Sequence, residues 1–212
     1  MRLTKLGHAC VRLEKDGSVL VIDPGAFSGD DALTGADAVL ITHEHFDHIV
    51  PDSLRAALAA DPGLQVWSTA AVASQFPDLV ARVHVVDHGD TFTAAGFGVH
   101  VYGSEHAVLH QDIPVVANVG FMIDGEMFHP GDSYTVPEDP ASTLLVPISG
   151  PWFSTREMID YVRAVAPQQT YAIHDALLSP IGLQVAEMFS GLAAGPNNAP
   201  YTRLEPGTTV DV

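Results

Sequence analysis

Short runs of β-branched and other apolar residues recur along the chain, and turn-forming residues separate them. Several runs alternate apolar with polar residues, as half-buried strands do. The pattern predicts strands over 10–13, 19–22, 38–42, 65–69, 82–86, 98–102, 115–123, 144–148 and 170–173.

Helical patterns are fewer. Residues 154–157 have the form of a capping box, and the apolar residues that follow share one helix face before Pro167 ends the helix. Other helices are predicted over 51–60 and near 70–75 and 180–189. A surface loop is predicted over 191–200. Strand clusters punctuated by helices in both halves predict an α/β fold in a single domain over 1–212.

The segment His43-Glu44-His45-Phe46-Asp47-His48 directly follows the apolar run 38–42 and concentrates potential metal ligands. Side chains two apart in an extended segment point the same way, so His43 and His45 can hold one ion together. Asp47 and His48 are adjacent and diverge, which suits a second ion nearby. A solvated, histidine-rich turn is the alternative, but crowded imidazoles repel one another once protonated, which favours the metal site.

The pattern His43-x-His45-x-Asp47-His48 after a strand resembles the signature of the metallo-β-lactamase-fold hydrolases. The resemblance continues in chain order through 7–9, 19–24, 129–133 and 170–174. It implies a four-layer αββα sandwich with metals at one edge between the sheets. Within that family the chain most resembles the branch of ascorbate-phosphate lactonase and the N-acyl phosphatidylethanolamine phospholipase.

The resemblance implies two metal ions and assigns most of their ligands. The implied ligands are His43 and His45 for the first ion, Asp47, His48 and His174 for the second, and Asp132 between the two. An ordinary Gly-Asp turn is the alternative for Asp132. We expect the remaining ligand of the first ion to be His106, just after the predicted strand 98–102, with His110 on the same loop as the alternative.

Other residues are expected to support this centre. His8, Asp23 and His129 are expected around the ligands, although a strand end for Asp23 and satisfied core histidines for the other two are alternatives. Trp152 and Phe153 are expected to lie over the metals and contact substrate, with a packing role as the alternative. The remaining candidates, His84, His88 and His100, are expected to be structural.

The implied function is a dinuclear hydrolase. Two divalent ions would share a water and lower its pKa toward ~7, and the bridging hydroxide would attack an ester, lactone or amide of a small substrate. Asp47 and Asp132 are the expected catalytic residues. Imidazole-rich ligation favours Zn²⁺, with Mn²⁺, Fe²⁺ or Ni²⁺ as alternatives. A phosphodiesterase with the same centre and a non-catalytic metal-binding or sensory protein are the alternative functions.

Composition narrows the partners. The 212 residues include 26 Asp and Glu against 9 Lys and Arg, a formal net charge of −17, which disfavours nucleic acid. Cys10 is the one cysteine, so no internal disulfide is possible. The amino terminus has no apolar stretch of the length a secretion signal needs, and no apolar run approaches the ~20 residues of a membrane span, so we expect a cytoplasmic protein. The sequence leaves the oligomeric state open.

The positions of the basic residues bear on the substrate. No lysine or arginine occurs from Val83 to Thr155, the stretch that holds His106 and Asp132. A phosphate clamp normally requires a guanidinium or an ammonium group. We therefore expect a neutral or weakly anionic small molecule with an apolar part.

Overall fold

Two mixed β-sheets, each with seven strands among the residues that the structure describes, form the centre of the protein. The structure is a computed structural model that describes residues 1–193 and 199–212. Its strands are β1 (Arg2–Gly7), β2 (Cys10–Lys15), β3 (Ser18–Ile22), β4 (Ala38–Ile41), β5 (Gln65–Ser68), β6 (Val83–Val85), β7 (Thr91–Ala94), β8 (Phe97–Tyr102), β9 (Gly120–Ile123), β10 (Met127–His129), β11 (Thr143–Pro147), β12 (Gln169–Ile173), β13 (Tyr201–Thr202) and β14 (Thr209–Asp211). The first sheet has the order β14-β1-β2-β3-β4-β5-β6 and the second β13-β12-β11-β10-β9-β8-β7.

The helices cover the outer faces of the sheets. They are α1 (Pro51–Ala60), α2 (Ala70–Ala73), α3 (Thr155–Val165) and α4 (Pro180–Leu192). The predicted capping box begins α3, where the Ser154 hydroxyl accepts a hydrogen bond from the Glu157 backbone N–H. The predicted loop 191–200 is wrong at its start, because α4 continues through Leu192; residues 194–198 lie outside the described part of the chain.

Three clusters of buried side chains make the layers. The central cluster joins the facing sides of the two sheets, with Leu20 and Leu40 from the first sheet and Phe121 and Leu145 from the second. A second cluster packs α1 and α2 on the first sheet, and a third packs α3 and α4 on the second. The predicted αββα sandwich is therefore confirmed.

Fully buried parallel strands occur in both sheets. Strands β3 to β6 run parallel, and every residue of β4 and β11 is buried, as expected for strands covered on both faces. The predicted strand 115–123 shortens to β9, because the backbone N–H groups of Asn118 and Val119 donate to the carbonyls of Ser104 and Thr42 and not to a neighbouring strand. No helix in the described residues has both the length and the apolar character to cross a membrane.

Candidate metal centre

Loops that follow five strands meet at one edge of the two sheets and bring histidines and aspartates together. Each loop begins where β1, β4, β8, β10 or β12 ends. The side chains form two groups, and within each group the possible ligand atoms all lie within 4.8 Å of one another. The first group is His43, His45, His106 and Asp132, and the second group is His8, Asp47, His48 and His174. All seven residues expected to be ligands lie in these groups, with His8 as an eighth member.

Asp132 connects the two groups. Its Oδ1 lies 3.1 Å from His48 Nε2, and its Oδ2 lies 3.0 Å from His174 Nε2 and 3.4 Å from His106 Nε2. This carboxylate therefore faces imidazoles of both groups, the position that a shared ligand requires.

Unpartnered polar atoms test whether metal ions fit. The Nε2 atoms of His48, His106 and His174 and the Oδ1 atom of Asp132 are buried, with no hydrogen-bond partner among the described residues. Buried polar atoms are normally hydrogen-bonded, so this concentration of free ligand atoms needs a partner. Imidazoles and carboxylates suit divalent transition metals, and the donor set therefore fits the expected ions.

Neutral oxygens orient the first group. His43 Nδ1 donates to the Thr42 hydroxyl at 2.9 Å, and His106 Nδ1 donates to the Ala107 carbonyl at 2.6 Å. These bonds leave both Nε2 atoms facing the centre. Burial, followed by the charge of His48, holds the pKa of His43 well below its usual range.

A buried carboxylate orients the second group. His48 Nδ1 donates to Asp23 Oδ2 at 2.7 Å, and neither side chain is exposed. Burial lowers the pKa of His48, but Asp132 and Asp23 outweigh that effect and raise the pKa well above its usual value. Burial lowers the pKa of His174, but the nearby carboxylates of Asp132 and Asp47 outweigh that effect and raise it.

His8 has a fixed tautomer. Its Nδ1 accepts the backbone N–H of Ala176 at 3.2 Å, so Nε2 carries the proton and donates to Asp47 Oδ2 at 3.2 Å. Burial raises the pKa of Asp47, but the nearby imidazole of His174 and the hydrogen bond from His8 hold it well below its usual range. His8 therefore orients an ionised Asp47.

Asp23 and His129 support the centre differently. Asp23 accepts the backbone N–H and the hydroxyl of Thr42, each at 2.8 Å, in addition to the His48 proton. His129 accepts the Gly131 N–H at 3.1 Å and donates Nε2–H to the Ala9 carbonyl at 2.9 Å. Asp23 thus contacts a member of the second group directly, whereas His129 anchors the loop that carries Asp132.

Asn118 is a supporting residue that the sequence analysis missed. Its Nδ2 donates to the Pro130 carbonyl at 2.9 Å, and its Oδ1 accepts the Asp132 N–H at 3.0 Å. Gly131 adopts a φ of +64°, and a Cβ there would lie 2.3 Å from Asn118 Oδ1. A polar residue inside an apolar run was the available signal, because a buried amide requires partners.

Lys5 was also missed. This buried lysine donates to the Ala172 carbonyl at 3.0 Å and to Asp175 Oδ1 at 3.1 Å, and Arg203 donates to the other Asp175 oxygen at 2.7 Å. Burial lowers the pKa of Lys5, although Asp175 opposes the shift. The ion pair fixes the end of β12 beside His174.

Three residues of the centre adopt left-handed backbone conformations. The φ angles are +47° at His8, +53° at Asp23 and +58° at His174. Residues with a Cβ rarely adopt this region, which costs roughly 1 kcal/mol or more at each position. The surrounding hydrogen bonds, such as His174 N–H to the His8 carbonyl at 3.0 Å, hold these conformations in place.

Trp152 and Phe153, which were both expected over the metals, lie in different places. Trp152 Nε1–H donates to Asp132 Oδ2 at 3.1 Å, and its ring lies 5.7 Å from that of His174. Phe153 does not contact the pocket above the two groups; it packs with the α3 and α4 cluster and lines another cavity. Neighbouring side chains at the turn diverge, so the expectation that Phe153 lies over the metals is corrected.

The other histidines lie outside the groups. His110 accepts the Asp112 N–H, and 59% of its side chain is exposed, so the structure brings His106 and not His110 to the centre. His84 contacts the Gln65 amide oxygen. The other two outlying histidines also have partners: His88 accepts the Gly103 N–H, and His100 contacts Tyr102 and Asp139.

A cavity of about 350 Å³, the metal pocket, opens above the two groups. Its apolar walls are Phe27, Phe46, Leu109, Pro151, Trp152 and Leu177. No lysine or arginine occurs among the described residues that line it. Carboxylates and imidazoles therefore form the base of the pocket, and apolar side chains form its walls.

Comparison with known proteins identifies the class. A family model described as a β-lactamase superfamily domain matches residues 2–174, so the chain belongs to the metallo-β-lactamase superfamily, and the predicted membership is confirmed.

Relatives and a solved structure agree with this class. Protein Rv0786c of Mycobacterium tuberculosis is 37% identical over 186 residues, covering 85% of this chain and 86% of the relative. A UPF0173 metal-dependent hydrolase of Methanoregula boonei is 28% identical over 201 residues, covering 82% of each chain. The structure of Igni18, a metallo hydrolase from Ignicoccus hospitalis, superposes with a TM-score of 0.75 at 23% identity, covering 99% of this chain and 97% of that chain. Together these comparisons support a metal-dependent hydrolase.

Proposed function

We propose that the protein is a two-ion hydrolase that cleaves an ester, lactone or amide bond in a small, neutral substrate with an apolar part. The observation that carries this proposal is Asp132, whose two oxygens face unpartnered imidazoles of both groups. The apolar walls of the metal pocket support the substrate class.

The two groups would divide the ions between them. His43, His45 and His106 would hold the first, Asp47, His48 and His174 the second, and Asp132 would contact both. When bound, divalent ions polarise a carbonyl oxygen and lower the pKa of water toward ~7. No serine or cysteine nucleophile is then required.

The protein's own residues supply orientation. Asp47 lines the metal pocket and is ionised, so its carboxylate can accept a hydrogen bond from an attacking water and orient it. His8 Nε2 donates to Asp47 Oδ2 at 3.2 Å and fixes the carboxylate. Trp152 holds Asp132 and closes one side of the pocket, which keeps bulk water away from the reacting bond.

The pocket favours carbon over phosphorus as the reaction centre. Arg156, the basic residue that follows Trp152 most closely in the chain, is exposed on α3 and does not line the metal pocket. A phosphodiester would therefore find no guanidinium or ammonium group among the described lining residues. The phosphodiesterase alternative is thus the weaker one.

A substrate panel with metal analysis tests the proposal. The protein is reconstituted with Zn²⁺, Mn²⁺, Fe²⁺ or Ni²⁺, and elemental analysis is expected to find two ions, one for each group. The panel is p-nitrophenyl acetate, a simple lactone, an anilide and bis(p-nitrophenyl) phosphate. We expect turnover of a carboxylic substrate above that of the phosphodiester. Preferred turnover of the phosphodiester would reverse the assignment, and two bound ions without any turnover would favour a non-catalytic protein.

Zinc as the native ion, cytoplasmic location and the lactonase-like branch stay predictions. Elemental analysis after purification without added metal would address the first of them.

A further inference from the structure

A second cavity lies beside the metal pocket, between the 148–153 loop, α3 and α4. This α4 cavity has a volume of about 520 Å³, within the range of small-molecule sites. Its main walls are Ile148, Phe153, Met158, Leu178, Val185 and Phe189.

The α4 cavity adjoins the metal pocket. Pro151 and Leu177 line both spaces. The wall between them includes Gly150, where a Cβ would lie 2.9 Å from Trp152 Nε1 and 3.4 Å from His174 Cε1. With a φ of +146°, Gly150 brings bare backbone against the metal centre on one side and lines the α4 cavity on the other. A ligand that passes Leu177 can therefore occupy both spaces.

The lining of the α4 cavity excludes charged ligands. None of its described lining residues is charged, and the polar ones are Ser149 and Thr155. The Ser149 hydroxyl already donates to the His174 carbonyl. Burying an unpaired charge or polar group in such a cavity would be costly, so the occupant must be a hydrocarbon group.

The cavity also leaves apolar surface in water. Leu177 and Val185 are 54% and 47% exposed at its open side. An occupant that covers them would gain free energy in proportion to the apolar area removed from water. The shared border with the metal pocket, the uncharged lining and this exposed rim thus agree on one type of occupant.

We propose that the α4 cavity binds an unbranched alkyl chain of the substrate while the bond to be cleaved lies in the metal pocket. Binding of the alkyl chain rests on the cavity itself. The position of the cleaved bond in the metal pocket rests on the proposed function. A flexible chain can follow the path past Leu177, whereas a compact substrate would fill the metal pocket alone.

Chain binding is measured without turnover. The protein, loaded with the metal that the elemental analysis favours, is titrated with 1-butanol, 1-hexanol, 1-octanol and 1-decanol against bound Nile red. Affinity is expected to rise by up to about fourfold for each methylene that the cavity covers. Hydrolysis of p-nitrophenyl acetate, butyrate, hexanoate and octanoate gives a parallel series in kcat/KM.

Two substitutions on one helix face form a matched pair. Val185 lines the α4 cavity at 47% exposure, and Met188 lies on α4 outside the cavity at 57% exposure. Val185→Asp is expected to weaken octanol binding at least tenfold and to abolish the chain-length preference, and Met188→Asp is expected to change neither. Both sites are exposed, so both variants should fold, which circular dichroism checks. Ala186→Trp, which fills the cavity without adding charge, should also lose the preference.

The outcomes separate the two proposals. Chain-length-dependent binding without ester turnover would leave the cavity assignment standing and defeat the proposed hydrolase. Ester turnover without any chain-length dependence would defeat the cavity assignment alone. Equal effects of Val185→Asp and Met188→Asp, with a dimer that both disrupt in light scattering, would show that a second copy covers this face and would overturn the proposal.

Discussion

The first and second groups of the metal centre contain similar side chains, but their histidines donate hydrogen bonds to different kinds of acceptor. His43 and His106 donate to a hydroxyl and a backbone carbonyl, which are neutral. His48 donates to the buried carboxylate of Asp23. The groups therefore differ in electrostatic support more than in ligand type.

This difference predicts unequal metal sites. A carboxylate behind an imidazole fixes its tautomer and raises its basicity as a ligand. We therefore expect the second group to depend on Asp23 for its affinity more than the first group does. Asp132 contacts imidazoles of both groups, so its loss should weaken both sites.

Asp132→Ala should have the largest effect. It removes the shared carboxylate, so we expect a rate loss of roughly a thousandfold or more, with loss of at least one ion. Substrate kinetics and elemental analysis measure both, with Asp112→Ala, an exposed aspartate, as the control. A variant that keeps both ions and most activity would mean that another carboxylate joins the groups.

His106→Ala tests the first group separately. We expect the first ion to bind about a hundredfold more weakly, because one of its imidazoles is gone, while the second ion remains. Calorimetric titration of the metal-free protein resolves the two events. His110→Ala is the matched control on the same loop, since this side chain is exposed. Loss of the first ion in His110→Ala alone would contradict the assignment of His106.

Asp23→Asn tests the second group. The amide keeps the shape but removes the charge behind His48, so affinity for the second ion should fall 10- to 100-fold. The first ion should lose less, because Asp23 reaches His43 only through the Thr42 hydroxyl. The same titration measures both. Asp37→Asn is a control, because Asp37 accepts a backbone N–H from Val19 elsewhere in the sheet. Equal loss at both sites would refute the proposed difference.

Trp152→Phe should have the smallest effect. Phenylalanine retains an apolar wall but cannot donate to Asp132 Oδ2, and we expect kcat to fall about tenfold. Trp67→Phe controls for the loss of a tryptophan, since Trp67 stacks on Phe92 in the core. Steady-state kinetics on one ester compares the two variants. An unchanged kcat would restrict Trp152 to lining the pocket.

Local spacing explains what could be predicted. Residues 43–48 follow a buried strand, so their closeness in sequence already places four ligands at one sheet edge. The expected extended alternation is wrong, because the chain turns at 46–48, with the His48 N–H donating to the His45 carbonyl, and this turn places Asp47 with His48 in the second group. His106 and His174 also lie just beyond strand ends, where parallel and antiparallel strands deliver loops to one edge. The α/β class followed from apolar runs that the structure confirms as strands, and the four-layer αββα arrangement followed from the family resemblance.

Distant contacts explain what was missed. Asn118 acts on residues 130 and 132 of another loop, and Lys5 pairs with Asp175, 170 positions away. In β1, Lys5 occupies an inward position and obscures the alternation of the strand. Strands β7, β13 and β14 are short and mostly exposed or half-buried, so their residues show little apolar pattern.

The left-handed backbone at His8, Asp23 and His174 has a consequence for protein engineering. Ala95 adopts the same conformation, at φ +50°, in the hairpin between β7 and β8, where it lines no part of the metal pocket. Asparagine adopts this conformation more readily in two-residue hairpins, so Ala95→Asn offers thermal robustness of up to about 1 kcal/mol without loss of chemistry. The same substitution at His8, Asp23 or His174 would remove an imidazole or a carboxylate of the metal centre. The stability of the fold can therefore be raised at Ala95 without altering the metal centre, because left-handed residues occur in a hairpin turn as well as at the site.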